Sequence, residues 1–176
     1  AFSKNMANYG LSQVAKNESD FQRSLELLGK VILFFPDKNI LKVDKGAILF
    51  ASGHLDEAEV TLRTSLQVDT SDLYATFILA KLLARTGRSD EAEQYFQSIS
   101  FQLPEYSQVY FELGQIASEK KQPGLAALYL AKFDLYGGKL KLAQQSLRNA
   151  LQDKSLSEKN KSEVKQLLKK IALLEK

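Results

Sequence analysis

The sequence predicts an all-α solenoid of about ten antiparallel helices, and three observations carry that prediction. Residue types recur every 34 positions along the 176-residue chain. Within each period apolar residues recur at intervals of three and four, the spacing of one helix face. The segments between the apolar stretches are only two to five residues long, too short for crossovers between strands. The expected helices run over about 3–16, 19–35, 38–51, 55–68, 71–86, 89–102, 105–119, 122–136, 140–152 and 156–174.

The period is carried by several columns in phase. Ser24, Ala58, Ala92 and Ala126 stand 34 residues apart, and Leu28, Leu62, Phe96 and Leu130 follow four positions later. Thirteen positions before the small residue come Leu11, Lys45, Leu79 and Leu113, each followed by a small residue: Ser12, Gly46, Ala80 and Gly114. Two antiparallel helices that approach closely need small residues where they cross, such as Gly114 facing Ala126, and large ones a turn away. Gly53 and Gly87 fall where the first helix of a pair must end in a left-handed residue. Pro36 and Pro104 follow the second helix and cannot continue it.

This combination of Leu-Gly, turn glycine, Ala-x-x-x-Phe and closing proline resembles the tetratricopeptide repeat (TPR). The resemblance implies a right-handed superhelix made by a single domain over 1–176. Its units are about 5–38, 39–72, 73–106 and 107–136. The template then returns after 17 residues, in Gly138, Leu140, Ala143, Leu147 and Ala150, so a unit at about 124–153 shares a helix with the one before it. The stretch 156–174 carries an apolar stripe (Leu156, Val164, Leu167, Leu168, Ile171, Leu174) and reads as a terminal cap, with Ser155 and Glu158 as its capping box.

Composition excludes several kinds of chemistry. With no cysteine and one histidine, His54, the chain cannot build a thiolate site or a zinc site of several imidazoles. His54 sits in a turn beside Asp56 and Glu57 and reads as solvated. No nucleophile motif, phosphate-cradling glycine loop or metalloprotease motif is present, so no cofactor and no enzymatic activity are expected of this chain. The net charge of +3 argues against a nucleic-acid binder. The positive charge gathers at 154–176, where seven lysines meet three glutamates. That segment can touch acidic partners or anionic lipid, or simply be a solvated helix face. No apolar run reaches a membrane span. Beginning Ala1-Phe2-Ser3-Lys4, the sequence reads as a trimmed or mature fragment.

In the repeat the first helix of each pair faces the concave side, at template positions 2, 5, 9 and 12. Those positions place Met6, Tyr9, Ile40, Val43, Phe50, Tyr74, Phe77, Lys81, Phe111 and Gln115 in a candidate partner-binding groove. Its apolar lining suits an apolar peptide segment or an adjacent domain. The alternative is that these side chains fill the interior of a tight superhelix. The clamp by which TPR co-chaperones grip a terminal carboxylate is absent, since its positions read Tyr9, Gln13, Asp44, Tyr74 and Ile78. Lys42 and Lys45 stand where bulky apolar residues are expected. Either that helix is rotated, or the lysine stems pack and their heads reach water. They could also form a basic contact spot.

A narrower likeness lies between 109 and 150. The chain reads Val-Tyr-Phe-Glu-Leu-Gly-Gln-Ile-Ala (109–117), then Gly-Leu-Ala-Ala-Leu-Tyr-Leu-Ala-Lys-Phe-Asp-Leu-Tyr-Gly-Gly-Lys-Leu-Lys-Leu-Ala (124–143), then a lysine-rich end. This resembles the C-terminal TPR domain of bacterial envelope zinc metalloproteases of the BepA type. The resemblance implies a periplasmic or outer-membrane-associated protein, with a protease domain upstream and a role in envelope protein quality control. There the TPR part recruits substrates or assembly partners. The alternative setting is a free-standing scaffold in bacterial secretion or pilus assembly. No catalytic or metal residue carries over, because the protease motif is missing.

Overall fold

The computed structural model describes residues 1–174. Among them are ten α-helices and no strand: α1 (Phe2–Asn17), α2 (Phe21–Phe34), α3 (Asn39–Ala51), α4 (Leu55–Val68), α5 (Leu73–Arg85), α6 (Ser89–Gln102), α7 (Ser107–Glu119), α8 (Pro123–Tyr136), α9 (Leu140–Gln152) and α10 (Glu158–Leu174). The expected all-α solenoid is the fold observed. Its contacts group into two compact units, Ala1–Leu83 and Ala84–Lys176.

A left-handed residue ends the first helix of each pair. Ser19, Gly53, Gly87 and Lys121 all have positive φ, and they recur at the 34-residue period; Gly138 repeats the feature 17 residues on. The next residue's N–H reaches back five positions. Asp20 donates to the Ala15 carbonyl at 2.8 Å, His54 to Leu49 at 2.9 Å, Gln122 to Ala117 at 2.9 Å and Lys139 to Asp134 at 2.8 Å. These bonds satisfy carbonyls that the helix end would otherwise leave unpaired. The second helices end before Pro36 and Pro104 as expected. Two other corners use an Asp-x-Ser turn instead. Asp69 accepts from the Ser71 N–H at 3.0 Å, and Asp153 from the Ser155 N–H at 2.8 Å.

In the first unit α1 packs on α2, α2 on α3 and α3 on α4. The core holds Leu28, Val31, Leu41 and Ile48, with Tyr9, Phe21 and Phe35 packed against it. The α1–α2 crossing is a pair of buried serines. The Ser12 hydroxyl donates to the Ser24 carbonyl and the Ser24 hydroxyl to the Ser12 carbonyl, both at 2.9 Å. Of the two unexpected lysines, Lys45 is exposed and Lys42 half-buried. Lys45 borders an outer hollow lined by Leu25, Leu28, Ile32 and Leu49, so its stem covers apolar surface while its ammonium meets water.

In the second unit α6 packs on α7, α7 on α8, α8 on α9 and α9 on α10, and α10 also touches α8. Its core gathers Leu128, Ala131, Leu135, Ala143, Leu147, Ala150, Leu156, Val164 and Ile171. The doubled use of α8 is real. Gly124, Leu128, Ala131 and Leu135 are its buried face, while its Ala126–Leu130 backbone passes over Gly114 of α7. Lys120 ties α7 to α6 through Asp90 at 2.5 Å and Glu93 at 2.6 Å. Lys132 joins three helices: it pairs with Glu163 of α10 at 2.5 Å and lies 4.8 Å over the Tyr110 ring.

The expected capping box of the last helix needs correction. Ser155 spends its hydroxyl on Asp153, at 2.7 Å, and lies in the turn. The α10 cap is Ser157, whose hydroxyl accepts the Asn160 N–H at 3.3 Å. Glu158 pairs instead with Lys161 at 2.8 Å.

Candidate functional site

The predicted groove residues divide between the two units. In the first unit Met6 and Ile40 are about half exposed and, with Tyr9, line a cavity of about 320 Å³. Phe2, Val31, Phe35 and Leu41 complete its apolar wall, and Lys38 stands at its edge. Phe2 and Phe35 meet edge to face at 5.9 Å, and Phe34 meets Phe35 at 4.7 Å. Sequence reasoning missed these aromatics. The Phe-Phe-Pro run at 34–36 is a signal that could have found Phe35, because the proline ends the helix where the Phe35 ring can turn into the cavity while Phe34 stays 44% exposed against it.

Tyr9 is held in place rather than free. Its hydroxyl donates to Asp44 Oδ2 at 2.8 Å, joining α1 to α3. Asp44 is only 7% exposed, and burial raises its carboxyl above the usual range despite the stabilising Tyr9 bond. Burial, then the bond to Asp44, pushes the Tyr9 phenol up to about 12. Two of the positions that serve a carboxylate clamp elsewhere are thus occupied by a pair that satisfies itself.

Val43 does not belong to any contact surface. It is fully buried, because Leu41, Val43, Ala47 and Ile48 all turn into the core around α3. Tyr74 is 40% exposed, whereas Phe50, Phe77 and Lys81 are half-buried. The Lys81 ammonium lies 5.8 Å over the Phe77 ring.

In the second unit Phe111 and Gln115 line a depression of about 430 Å³ between α7 and α8. Gly114, Ser118, Ala126 and Leu130 share it. Phe111 is 40% exposed and leans on Phe133 at 5.4 Å, under the Lys139 ammonium at 5.6 Å from that ring. Leu130 is 45% exposed here, although its repeat counterparts Leu28, Leu62 and Phe96 are fully buried. The depression exists because small residues at the crossing leave a shallow floor and Leu130 forms one wall.

The exposed His54 ring contacts the Ser52 hydroxyl at 2.9 Å through Nδ1. Among the described residues no group of three His, Cys, Asp or Glu side chains converges to hold a metal. Among them, too, no helix is long and apolar enough to cross a membrane.

Residues 49–113 match the tetratricopeptide repeat family model. No curated protein matches the chain. Several solved structures share its fold. MamA (residues 41 to the end) from Desulfovibrio magneticus RS-1 aligns with a TM-score of 0.66 at 14% identity, over 98% of this chain and 95% of that one. YrrB, described as a TPR protein with an unusual peptide-binding site, aligns at 0.63 with 20% identity, over 84% of this chain and 76% of that one. TTC0263, a TPR protein of Thermus thermophilus, aligns at 0.61 with 12% identity, over 93% of this chain and 98% of that one. At such identities the likeness concerns the fold.

Proposed function

We propose that this TPR-repeat chain is a docking module that binds an apolar segment of a partner protein, without catalysis of its own. The observation that carries the reading is the exposure of large apolar side chains at the repeat's inner positions. Met6, Ile40, Tyr74 and Phe111 are each 40–49% exposed, while the small residues at the helix crossings, such as Ser12, Ser24, Ala58, Ala80 and Ala92, are fully buried. Two of the exposed four border the cavity of the first unit, and Phe111 borders the depression of the second. Apolar surface left open on rigid helices gains free energy when a partner covers it. TPR domains serve this purpose generally, and the description of YrrB as having a peptide-binding site is consistent with it.

The test selects peptides on the immobilised chain from a displayed library and measures their affinity by calorimetry. Met6 is the sole methionine, so its labelled methyl resonance reports occupancy of the first cavity directly. The expected result is that Met6→Glu or Phe111→Glu weakens binding at least tenfold, about 1.4 kcal/mol, with the helical circular dichroism unchanged. Unaltered affinity in both variants would overturn the reading.

The finer setting rests on the likeness of residues 109–150 to the TPR domain of exported zinc metalloproteases. On that basis the chain recruits substrates or assembly partners for an envelope protease. The alternative is a free-standing scaffold. Capture of the native protein with an antibody to this chain separates the two. A periplasmic or membrane species much larger than 19.7 kDa and carrying zinc fits the protease setting; a zinc-free species near 19.7 kDa fits the scaffold.

A further inference from the structure

We propose that the outer face of α10 is a docking surface for an anionic lipid bilayer. The inference is independent of the docking function above and rests on other residues. Lys159, Ser162, Gln166, Lys170 and Leu173 follow the spacing of one helix stripe, and Lys159, Gln166, Lys170 and Leu173 are exposed along it. Lys165 and Lys169 flank the stripe, and exposed Lys154 lies just ahead of the helix. The opposite side of α10 carries Val164 and Ile171, fully buried in the core of the second unit. The helix is therefore held with Lys159, Lys165 and Lys169 exposed on its outer side, while Lys170 at the edge leans its ammonium over the Tyr136 ring of α8 at 5.7 Å.

Among the described residues both glutamates of this segment are already committed. Glu163 pairs with Lys132 of α8 at 2.5 Å, and Glu158 with Lys161 at 2.8 Å. Among the described residues Lys154, Lys159, Lys165, Lys169 and Lys170 form no ion pair. Lys159, Lys165 and Lys169 on this face, with Lys170 at its edge and Lys154 just ahead of the helix, thus gather five positive charges along α10, in a chain whose net charge is only +3. A charge ladder of this kind complements an anionic surface. At the C-terminal end of the same face Leu173 is 71% exposed, and Leu174, at the border with the packed side of the helix, is 58% exposed. Two leucines beside a lysine ladder suit shallow insertion below the headgroups, with the lysine stems reaching up to the phosphates. A nucleic-acid partner fits less well: the aromatic ring beside these lysines, Tyr136, is half-buried and covered by the Lys170 ammonium at 5.7 Å, so it is not open to stack on bases.

The test uses the full chain in co-sedimentation with vesicles of phosphatidylcholine alone and of phosphatidylcholine mixed with phosphatidylglycerol. Binding is expected only to the anionic vesicles. It should fall about 100-fold in Lys165→Gln/Lys169→Gln/Lys170→Gln and be largely lost in about 1 M salt, where the screening length is about 3 Å. Leu173→Ser/Leu174→Ser should weaken it with the lysines intact. Because all five substituted positions are exposed, unchanged circular dichroism and urea midpoint certify the fold of each variant. No partition to anionic vesicles, equal partition to neutral ones, or indifference to the lysine substitutions would overturn the proposal. So would tighter binding to single-stranded DNA than to the vesicles, which would make the face a nucleic-acid surface.

Discussion

The α3–α4 and α7–α8 pairs place a glycine at the same repeat position, yet only one of them depends on it. A Cβ at Gly46 would lie 2.7 Å from Leu62 Cγ and 2.8 Å from Leu62 Cδ2. A Cβ at Gly114 would meet nothing closer than Tyr129 Cβ at 3.5 Å, an ordinary contact. The difference lies in the residue four positions beyond the small one on the facing helix. Leu62 is fully buried and fills the space above Gly46. Its counterpart Leu130 is 45% exposed, because α8 gives Leu128, Ala131 and Leu135 to the core it shares with α9 and α10. A helix that serves two repeats turns its best apolar face to one of them and opens a depression against the other.

The largest test of that contrast is at the two leucines. Leu62→Ala removes a fully buried side chain and should cost about 3 kcal/mol in urea unfolding. Leu130→Ala should cost less than about 1 kcal/mol, since little burial is lost. Equal losses would show that Leu130 supports the fold as much as Leu62 does. The glycines give the next effect. Gly46→Ala forces Leu62 aside and should destabilise by about 1–3 kcal/mol. Gly114→Ala should be neutral or stabilising by up to about 1 kcal/mol, because alanine has the better helix propensity and room for its methyl.

The pattern of small and large residues was enough to place every helix, and the shared α8 as well, because backbone crossings impose it directly. Side-chain destinations were less legible. Val43 has the right register for the inner surface, but a neighbourhood of Leu41, Ala47 and Ile48 takes it into the core. Ser155 fits a capping box on spacing alone, but Asp153 captures its hydroxyl first and leaves the cap to Ser157. The Asp153 carboxylate also accepts the Gly124 N–H at 2.7 Å, a tie between the start of α8 and the α9–α10 corner that no local pattern encodes. Lys45 breaks the leucine column and stays exposed over an apolar hollow.

A pH test compares the two units. The Tyr9 phenol is raised from 10.0 to about 12, mainly by burial. Burial likewise raises Tyr110, Tyr129 and Tyr136 in the second unit. A phenol with a raised value stabilises the fold fully below the unfolded value near 10 and ceases to do so as pH rises through its folded value. The urea midpoint should therefore hold up to about pH 10 and fall from there toward pH 12, in step with delayed phenolate absorbance. Tyr9→Phe should remove one late-titrating phenol and leave those of the second unit. A full set of late phenolates in that variant would contradict the assignment of Tyr9.

The smallest effect is expected at the turns, where each unit sets a glycine turn beside a non-glycine one in the same column. Gly53, Gly87 and Gly138 take positive φ with no Cβ to strain, while Ser19 and Lys121 take φ of 62° and 57° with one. An L-residue in that region costs about 1–2 kcal/mol relative to its preferred backbone, and glycine avoids the cost but loses more entropy on folding. Lys121→Gly should accordingly stabilise by up to about 1 kcal/mol, and Ser19→Gly by a similar amount. The Lys121 substitution leaves the neighbouring Lys120 ties to Asp90 and Glu93 in place, so the gain measures the backbone alone. A loss of stability on Lys121→Gly would mean that the lysine side chain supports this turn by more than its backbone strain costs. Placing glycine at both positions would give every turn in the column the same backbone chemistry, and the gains should add, because the two sites lie in different units and share no partner.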